Sequence, residues 1–379
     1  MGWAITTTGS HQPKFILAVT AILVFWFLYP LSHAQEHITI PYGQPTLHVD
    51  PSHNHMIPDA HSDVLSEDAA QHFCTNFRLE PISRSQASKR KIYDLLLINT
   101  ELELLDIRLG QMSPGVDCFV ILESDRTFTD QIKPLFVHES WPRFAAYHSK
   151  MIRRTMDLTT DSFENSWARE GASRNAMYEQ VVPYLNDEHA ATLDDILLVS
   201  DVDEMFKPEV LKAMRNCAVP DKVTVMSRMF YYSYQWLQDT AWPHPQATLY
   251  KGENDTILPN TLRGHSDSHF VFPDGGWHCS YCFSTLEEMV KKITSFSHTE
   301  LDRPDFKDPV KIIDRVRHGK DMFDRKLCTR IERNFDVPDF LHIGGNAEKY
   351  NFMLDRDPPN ANFRDWNPEM EVLVEGGWR

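Results

Sequence analysis

No basic tract runs through this chain. Lys89-Arg90-Lys91 is a short exception, and the formal charge is −16. Phosphate backbones attract basic patches, so a nucleic-acid partner is excluded as the main reading. A second Cys-x-x-Cys is also missing, and no His-x-x-x-His follows Cys279-x-x-Cys282. Cys279-x-x-Cys282 therefore stands without the partners that a structural zinc site requires. The six cysteines (74, 118, 217, 279, 282 and 328) are an even number, compatible with disulfides in a lumenal setting, and their pairing is not readable. No further cluster of Asp and His accompanies the acidic turn described below, which weakens the reading of a two-metal hydrolase. From Gln35 to about Lys89 there is no sustained apolar face. Prolines recur at 41, 45, 51, 58 and 81, and a stem or linker is expected over 35–89.

What is present begins with a hydrophobic segment. Residues 1–14 carry no acid, and Phe15–Tyr29 is apolar except for Thr20. Counted to Ala34, the segment reaches the lower end of a membrane span, roughly 17–25 residues. We expect a cytosolic tail over 1–14 and a signal anchor over 15–34. Cleavage after Ser32-His33-Ala34 is the alternative, leaving a secreted protein. Either way the remainder, 90–379, is expected to be lumenal. The chain is long enough for a large core, and its 42% hydrophobic content is that of a globular protein. Asn254-Asp255-Thr256 is an N-glycosylation acceptor sequence that suits a lumenal surface loop.

The most informative stretch is Ile196–Glu204. Ile196–Val199 fits a strand buried on both faces, as in a parallel sheet. Asp201 and Asp203 follow at its carboxyl end, where open α/β sheets bind ligands. Paired carboxylates there suit a hard divalent cation, although a lone Asp-x-Asp reads first as a solvated turn. Upstream, Ile92–Ile98 predicts a strand, Leu102–Met112 a helix and Cys118–Leu122 a second strand. That is a βαβ unit, and the sheet is expected to be mostly parallel. Met151–Leu158 predicts another strand. Glu164–Leu185 reads as one long helix carrying Arg169, Glu170, Arg174 and Asn175. Glu170 and Arg174 lie one turn apart, as a surface ion pair would. Arg169 sits near the helix start, where the macrodipole disfavours a cation, so a phosphate or carboxylate partner is expected for it.

Lys207–Asn216 predicts a short helix and Lys222–Tyr232 a strand. Between Met229 and Tyr250 aromatics are dense; part is core, and an acceptor-binding wall is the alternative. In Pro273–His278 the paired Gly275 and Gly276 let a backbone approach a ligand closely, with Trp277 and His278 next. Ser284-x-x-Glu287 resembles a capping box opening a helix to about Thr294. Asp314–Arg325 is expected to be helical, and the tail from Asp355 to wrap the surface.

Several of these stretches resemble glycosyltransferase family 17. They are Asn99-Thr100-Glu101 with Leu104–Leu109, Phe119–Ser124 with Arg126–Thr129, and Trp167–Glu170 with Arg174–Met177. Asp201–Glu204 and Gly276–Ser280 complete the set, in the family's order over residues 91–300. The resemblance implies a GT-A-like nucleotide-diphospho-sugar transferase fold, α/β with a mostly parallel central sheet flanked by helices. It also implies inverting transfer of GlcNAc from UDP-GlcNAc to a mannose-containing glycan on a glycoprotein, an N-glycan joined by a β-1,4 linkage. A Golgi, single-pass type II placement goes with it. On that pattern Asp201 and Asp203 hold Mn²⁺ or Mg²⁺, with His278 first and His298 second as a further ligand. Arg169 and Arg174 face the diphosphate, Asn99 and Glu101 the nucleoside, and Gly275–Trp277 form a loop against both substrates. The proton acceptor is expected at Glu288 or Glu287, at the start of the helix after that loop, with Asp274 and Glu300 left open. A metal-dependent phosphohydrolase or nucleotidyltransferase, and a membrane-tethered sugar-binding protein, are the competing classes.

Overall fold

The computed structural model describes residues 63–158, 162–264 and 269–367. The expected cytosolic tail and signal anchor lie outside the described residues, as does the first half of the stem, 35–62. Among the described residues no helix is long and apolar enough to cross a membrane. Ordered elements begin upstream of Arg90. Helix α1, Glu67–Thr75, is N-capped by Ser66 and joined to the rest by a disulfide between Cys74 and Cys217.

The predicted βαβ unit is present. Strand β1 (Ile92–Leu97), helix α2 (Leu102–Met112) and strand β2 (Cys118–Glu123) follow in order, and β1 and β2 are parallel. β3 (Met151–Thr155) adds to β2 in parallel, and β4 (Ile196–Asp201) adds to the other side of β1. Side chains alternate between two cores. Ile92, Leu96, Ile121 and Leu198 pack with Leu105 and Leu109 of α2. Tyr93, Leu95, Val120 and Val199 pack with Ala176 and Met177 of α3 (Ser166–Glu179). Burial on both faces explains the near-continuous apolar runs.

The expectation of a mostly parallel sheet is corrected here: the ten-stranded sheet is mixed. Beyond β4 its order is β8, β6, β7 and β10. Strands β6 (Val223–Tyr231), β7 (Trp236–Trp242) and β8 (Gln246–Leu249) are joined by short connections and pair antiparallel, as does β8 with β4. A parallel pair needs a crossover of a dozen or more residues, and the four-residue link from β6 to β7 is too short for one. β9 (Phe270–Ser280) returns parallel to β6 and antiparallel to β5 (Glu204–Phe206), and β10 is Thr329–Arg330.

Helix boundaries differ from expectation for identifiable reasons. α3 stops at Glu179, and a 3₁₀ turn, Val182–Tyr184, carries Pro183, which cannot extend a helix. α4 (Pro208–Asn216) and α5 (Pro259–Gly264) follow. α6 (Leu286–Ser295) is capped by Thr285 rather than Ser284, so Glu288 and not Glu287 is its capping partner. The helix expected at Asp314–Arg325 is instead α7, Pro309–His318, with Asp308 as N-cap, Pro309 first and left-handed Gly319 closing it. The tail does more than wrap the surface. Arg356 is fully buried, donating to the carbonyls of Tyr232, Phe283 and Ala361, and Phe363 enters the core around α6.

Candidate active-site cleft

The acidic turn lies at the carboxyl edge of β4, and α2 holds it from below. Arg108 is fully buried and pairs with Asp94 at 2.6 Å. It also donates to Ser200 Oγ and to the carbonyls of Asp201, Val202 and Glu204, the last at 2.6 Å. From above, β5 pairs with β9 so that Glu204 faces His278, and Cys279 N–H donates to the Asp203 carbonyl. The turn is thus fixed before any side chain meets a ligand.

Its three carboxylates differ. Asp201 is 41% exposed, with Arg174 at 3.3 Å and Arg263 at 3.5 Å. Asp203 is buried; Lys292 Nζ lies 2.6 Å from Oδ2, and His278 Nε2 lies 3.7 Å from the same oxygen. Glu204 is buried and held by both terminal nitrogens of Arg263 at 2.7 and 3.0 Å and by Trp242 Nε1 at 2.7 Å. Burial opposes ionisation of all three. Arg263 and Arg174 nonetheless hold Asp201 below the usual carboxylate range, Lys292 and His278 do so for Asp203, and Arg263 does so for Glu204. Burial opposes the charge on Lys292 too, and Asp203 and Glu101 raise its pKa above the ordinary value.

These groups open onto a cleft of about 800 Å³. It runs along the carboxyl ends of β1, β2 and β4, past Leu97, Asn99, Leu122 and Ser124. Of the predicted residues, Asn99, Glu101, Arg174, Asp201, Asp203 and His278 line it. Asn99 Nδ2 donates to Ser295 Oγ at 2.8 Å, and Glu101 Oε2 accepts from the Asn99 and Thr100 N–H groups. Arg174 makes the expected pair with Glu170 at 2.5 Å and reaches Asp201 as well.

Other placements are corrected. Arg169 has the carboxylate partner expected of it, Asp130 at 2.7 Å, over the Phe163 ring, and it does not line the cleft. Gly275, Gly276 and Trp277 form part of β9, not a substrate loop, and none lines the cleft. A Cβ on Gly276 would lie 2.4 Å from Ser227 Oγ and 2.8 Å from the Met205 carbonyl, so the glycine serves strand packing. Trp277 is buried, donating to Asp336. Glu287 is exposed and pairs with Lys291, whereas Glu288 bonds Thr285; neither lines the cleft. Asp274 is engaged by Lys207 and Arg228, and Glu300 by His298. His298 lines the cleft, and its Nδ1 meets Glu300 at 2.7 Å rather than the acidic turn.

Arg263, Lys292 and Arg108 are the cations around the acidic turn that sequence reasoning passed over. Arg263 sits on a six-residue helix too short to show periodicity, seated on α3 where Asn175 Oδ1 accepts the Asn260 N–H. Lys292 did leave a signal: it falls on the buried stripe of α6 beside Leu286, Met289 and Ile293, where a lysine needs an anionic partner.

Among the described residues no group of three or more His, Cys, Asp or Glu is arranged as a metal cage. Asp203 already meets a lysine, and Asp201 is the water-facing carboxylate. Such a donor set fits a hard cation that completes its shell with substrate phosphates and water. The arrangement of cations around this turn also suits a diphosphate directly.

A model of glycosyltransferase family 17 matches residues 10–329. The human and rat β-1,4-mannosyl-glycoprotein 4-β-N-acetylglucosaminyltransferases are each 22% identical over 257 residues, and the mouse protein is 23% identical over 246. Each match covers 56% of this chain and 44% of the relative, so it spans less than half the length of those proteins. A solved structure, the inositol-1-phosphate CTP transferase from T. maritima, aligns with 51% of this chain and 90% of its own at 11% identity and a TM-score of 0.31, a level of likeness on which nothing rests.

Proposed function

This chain belongs to glycosyltransferase family 17, and from that premise we propose that it is an inverting GlcNAc transferase of GT-A-like fold. The donor is UDP-GlcNAc, and the acceptor is a mannose-containing N-glycan joined by a β-1,4 linkage, as the names of its relatives suggest. The single observation that carries the reading is the meeting of Asp201 and Asp203 with Arg174, Arg263 and Lys292 at the carboxyl end of β4, inside the cleft. Open α/β sheets bind their ligands at that edge.

In this reading Asn99 and Glu101 orient the nucleoside end of the donor, and Arg174, Arg263 and Lys292 set positive charge against the diphosphate. Asp201 and Asp203 would hold Mn²⁺ or Mg²⁺, which when bound neutralises charge on the departing UDP. Arg108 keeps the turn's backbone in place as that charge develops. A direct displacement passes the acceptor proton to a carboxylate facing the cleft. Besides the two carboxylates given to the metal, the cleft offers Glu101, Glu170 and Glu204 for this, rather than Glu287 or Glu288. The two disulfides suit an oxidising lumen, and with the apolar segment at 15–34 they support a single-pass, type II placement in the Golgi membrane.

The test is incubation of the chain with a panel of labelled UDP-sugars, Mn²⁺ and a released mannose-containing N-glycan. Transfer selective for UDP-GlcNAc is expected, and Asp203→Ala is expected to lower kcat at least about a hundredfold. Full activity in Asp203→Ala, or phosphate release from generic esters without sugar transfer, would sink the reading.

A further inference from the structure

Six aromatic rings run in unbroken contact along the cleft. Trp167 meets His298 with centroids 4.6 Å apart, and His298 meets Phe296 at 5.7 Å. Phe296 stacks on Phe323 at 6.2 Å, Phe323 meets Tyr281 at 5.8 Å, and Tyr281 stacks on Tyr231 at 6.3 Å. All six line the cleft. The inner end of the row adjoins the reaction centre, for Lys292, the partner of Asp203, lies 5.6 Å over the Tyr281 ring. The outer end is open to water: Trp167 is 50% exposed.

Two features of the row have no account in stability. A tryptophan left half in water forfeits part of the roughly 1.5–3 kcal/mol that burying a large apolar side chain contributes. Tyr281 is 4% exposed, and its hydroxyl is sealed from solvent with no hydrogen-bond partner among the described residues, so the ring serves as a wall of the cleft without a polar bond. A half-exposed ring at the end of a continuous aromatic wall suits a ligand that is flat and apolar on one face and rich in hydroxyls around its edge, which is a pyranose ring. The row also begins where the second substrate is needed. Tyr231 ends β6 and Tyr281 follows β9, and in the sheet β8 and β4 separate β6 from β1, whose carboxyl end carries Asn99. The nucleoside is placed at β1, so the aromatic row is left for the acceptor.

We propose that this row is the platform for the sugar rings of the acceptor oligosaccharide, with Trp167 its outermost stacking residue. The proposal rests on reading the chain as a glycosyltransferase. It moves the acceptor wall from the Met229–Tyr250 stretch, whose Phe230, Tyr232 and Tyr234 are core, to rings contributed mainly by α3 and the segments after β9.

Trp167→Ala tests it, because an exposed ring can be removed without opening a cavity. With a released mannose-containing N-glycan as acceptor, its KM is expected to rise about five- to tenfold, with kcat at saturating glycan and the affinity for UDP unchanged. Trp167→Tyr is expected to recover most of the loss. An unchanged acceptor KM in Trp167→Ala overturns the proposal, as does a loss of UDP affinity in its place, which would assign the ring to the nucleoside. If the wild-type chain turns nothing over, the transferase reading fails separately, and calorimetric binding of the same glycan decides: a five- to tenfold weaker Kd in Trp167→Ala supports the platform, while equal binding, or none by the wild type, overturns it.

Discussion

Glu288 is a carboxylate perturbed by its surroundings rather than by a role at the cleft. Burial is the main cause, the nearby charges of Glu103 and Glu101 add to it, the Thr285 hydrogen bonds oppose it, and the side chain is pushed up to about 7 from 4.5. Between those values the folded state binds more protons than the unfolded one. Stability is therefore lost as pH rises through that window, and the penalty is complete above pH 7. Glu288→Gln keeps a capping side chain and removes the charge. Thermal melts are expected to show it more stable than the parent by about 1–2 kcal/mol at pH 8 and equal to it near pH 4. Its transfer rate should match the parent at every pH; a drop of tenfold or more in a folded variant would return Glu288 to the candidates for proton acceptor. The Asp201–Asp203 turn was readable because a buried strand delivers it to a ligand-binding edge. Arg263 was not, and the buried stripe of α6 flags Lys292 without naming its partner, because an ion pair between residues 59 or 89 positions apart leaves no local pattern.

At the level of elements, periodicity located what was local. β1, α2, β2 and β4 fall close to their predicted positions, since the three strands are apolar runs buried on both faces and α2 carries leucines at helical spacing. What periodicity could not supply was direction and partner. β9 looked like a glycine loop because paired glycines serve equally well where a backbone nears a ligand and where it nears another strand. The contact distances decide for the second. Gly276→Ala is expected to destabilise the chain by about 2–4 kcal/mol, as overpacking against Ser227 and the Met205 carbonyl forces β5 and β6 apart. Denaturant unfolding measures this, and in whatever fraction stays folded the KM for UDP-GlcNAc should be unaltered. A raised donor KM at full stability would return the glycines to the substrate. The error over α7 was of another kind: Asp308-Pro309 and Gly319 mark both its ends, and those signals place it upstream of the expected span.

Across the whole molecule, the two disulfides act at very different ranges. Cys279–Cys282 closes three residues beside Ser280 and Tyr281 of the cleft, whereas Cys74–Cys217 joins α1 to the residue after α4, a separation of 143. In the chain-entropy view a loop that long contributes about 4–5 kcal/mol by constraining the unfolded chain. Replacing Cys74 and Cys217 together by serine should lower unfolding stability by about 3–5 kcal/mol in denaturant titrations. A variant as stable as the parent would mean that α1 is held by packing alone. The bond has one more consequence. The span from Cys74 to Cys217 contains β1 to β5, so the contiguous parallel strands β1 to β4 lie on a covalently closed ring. A protease that nicks the ring once, anywhere between those cysteines, leaves both pieces attached, and the cut chain travels as one species until a reductant opens it.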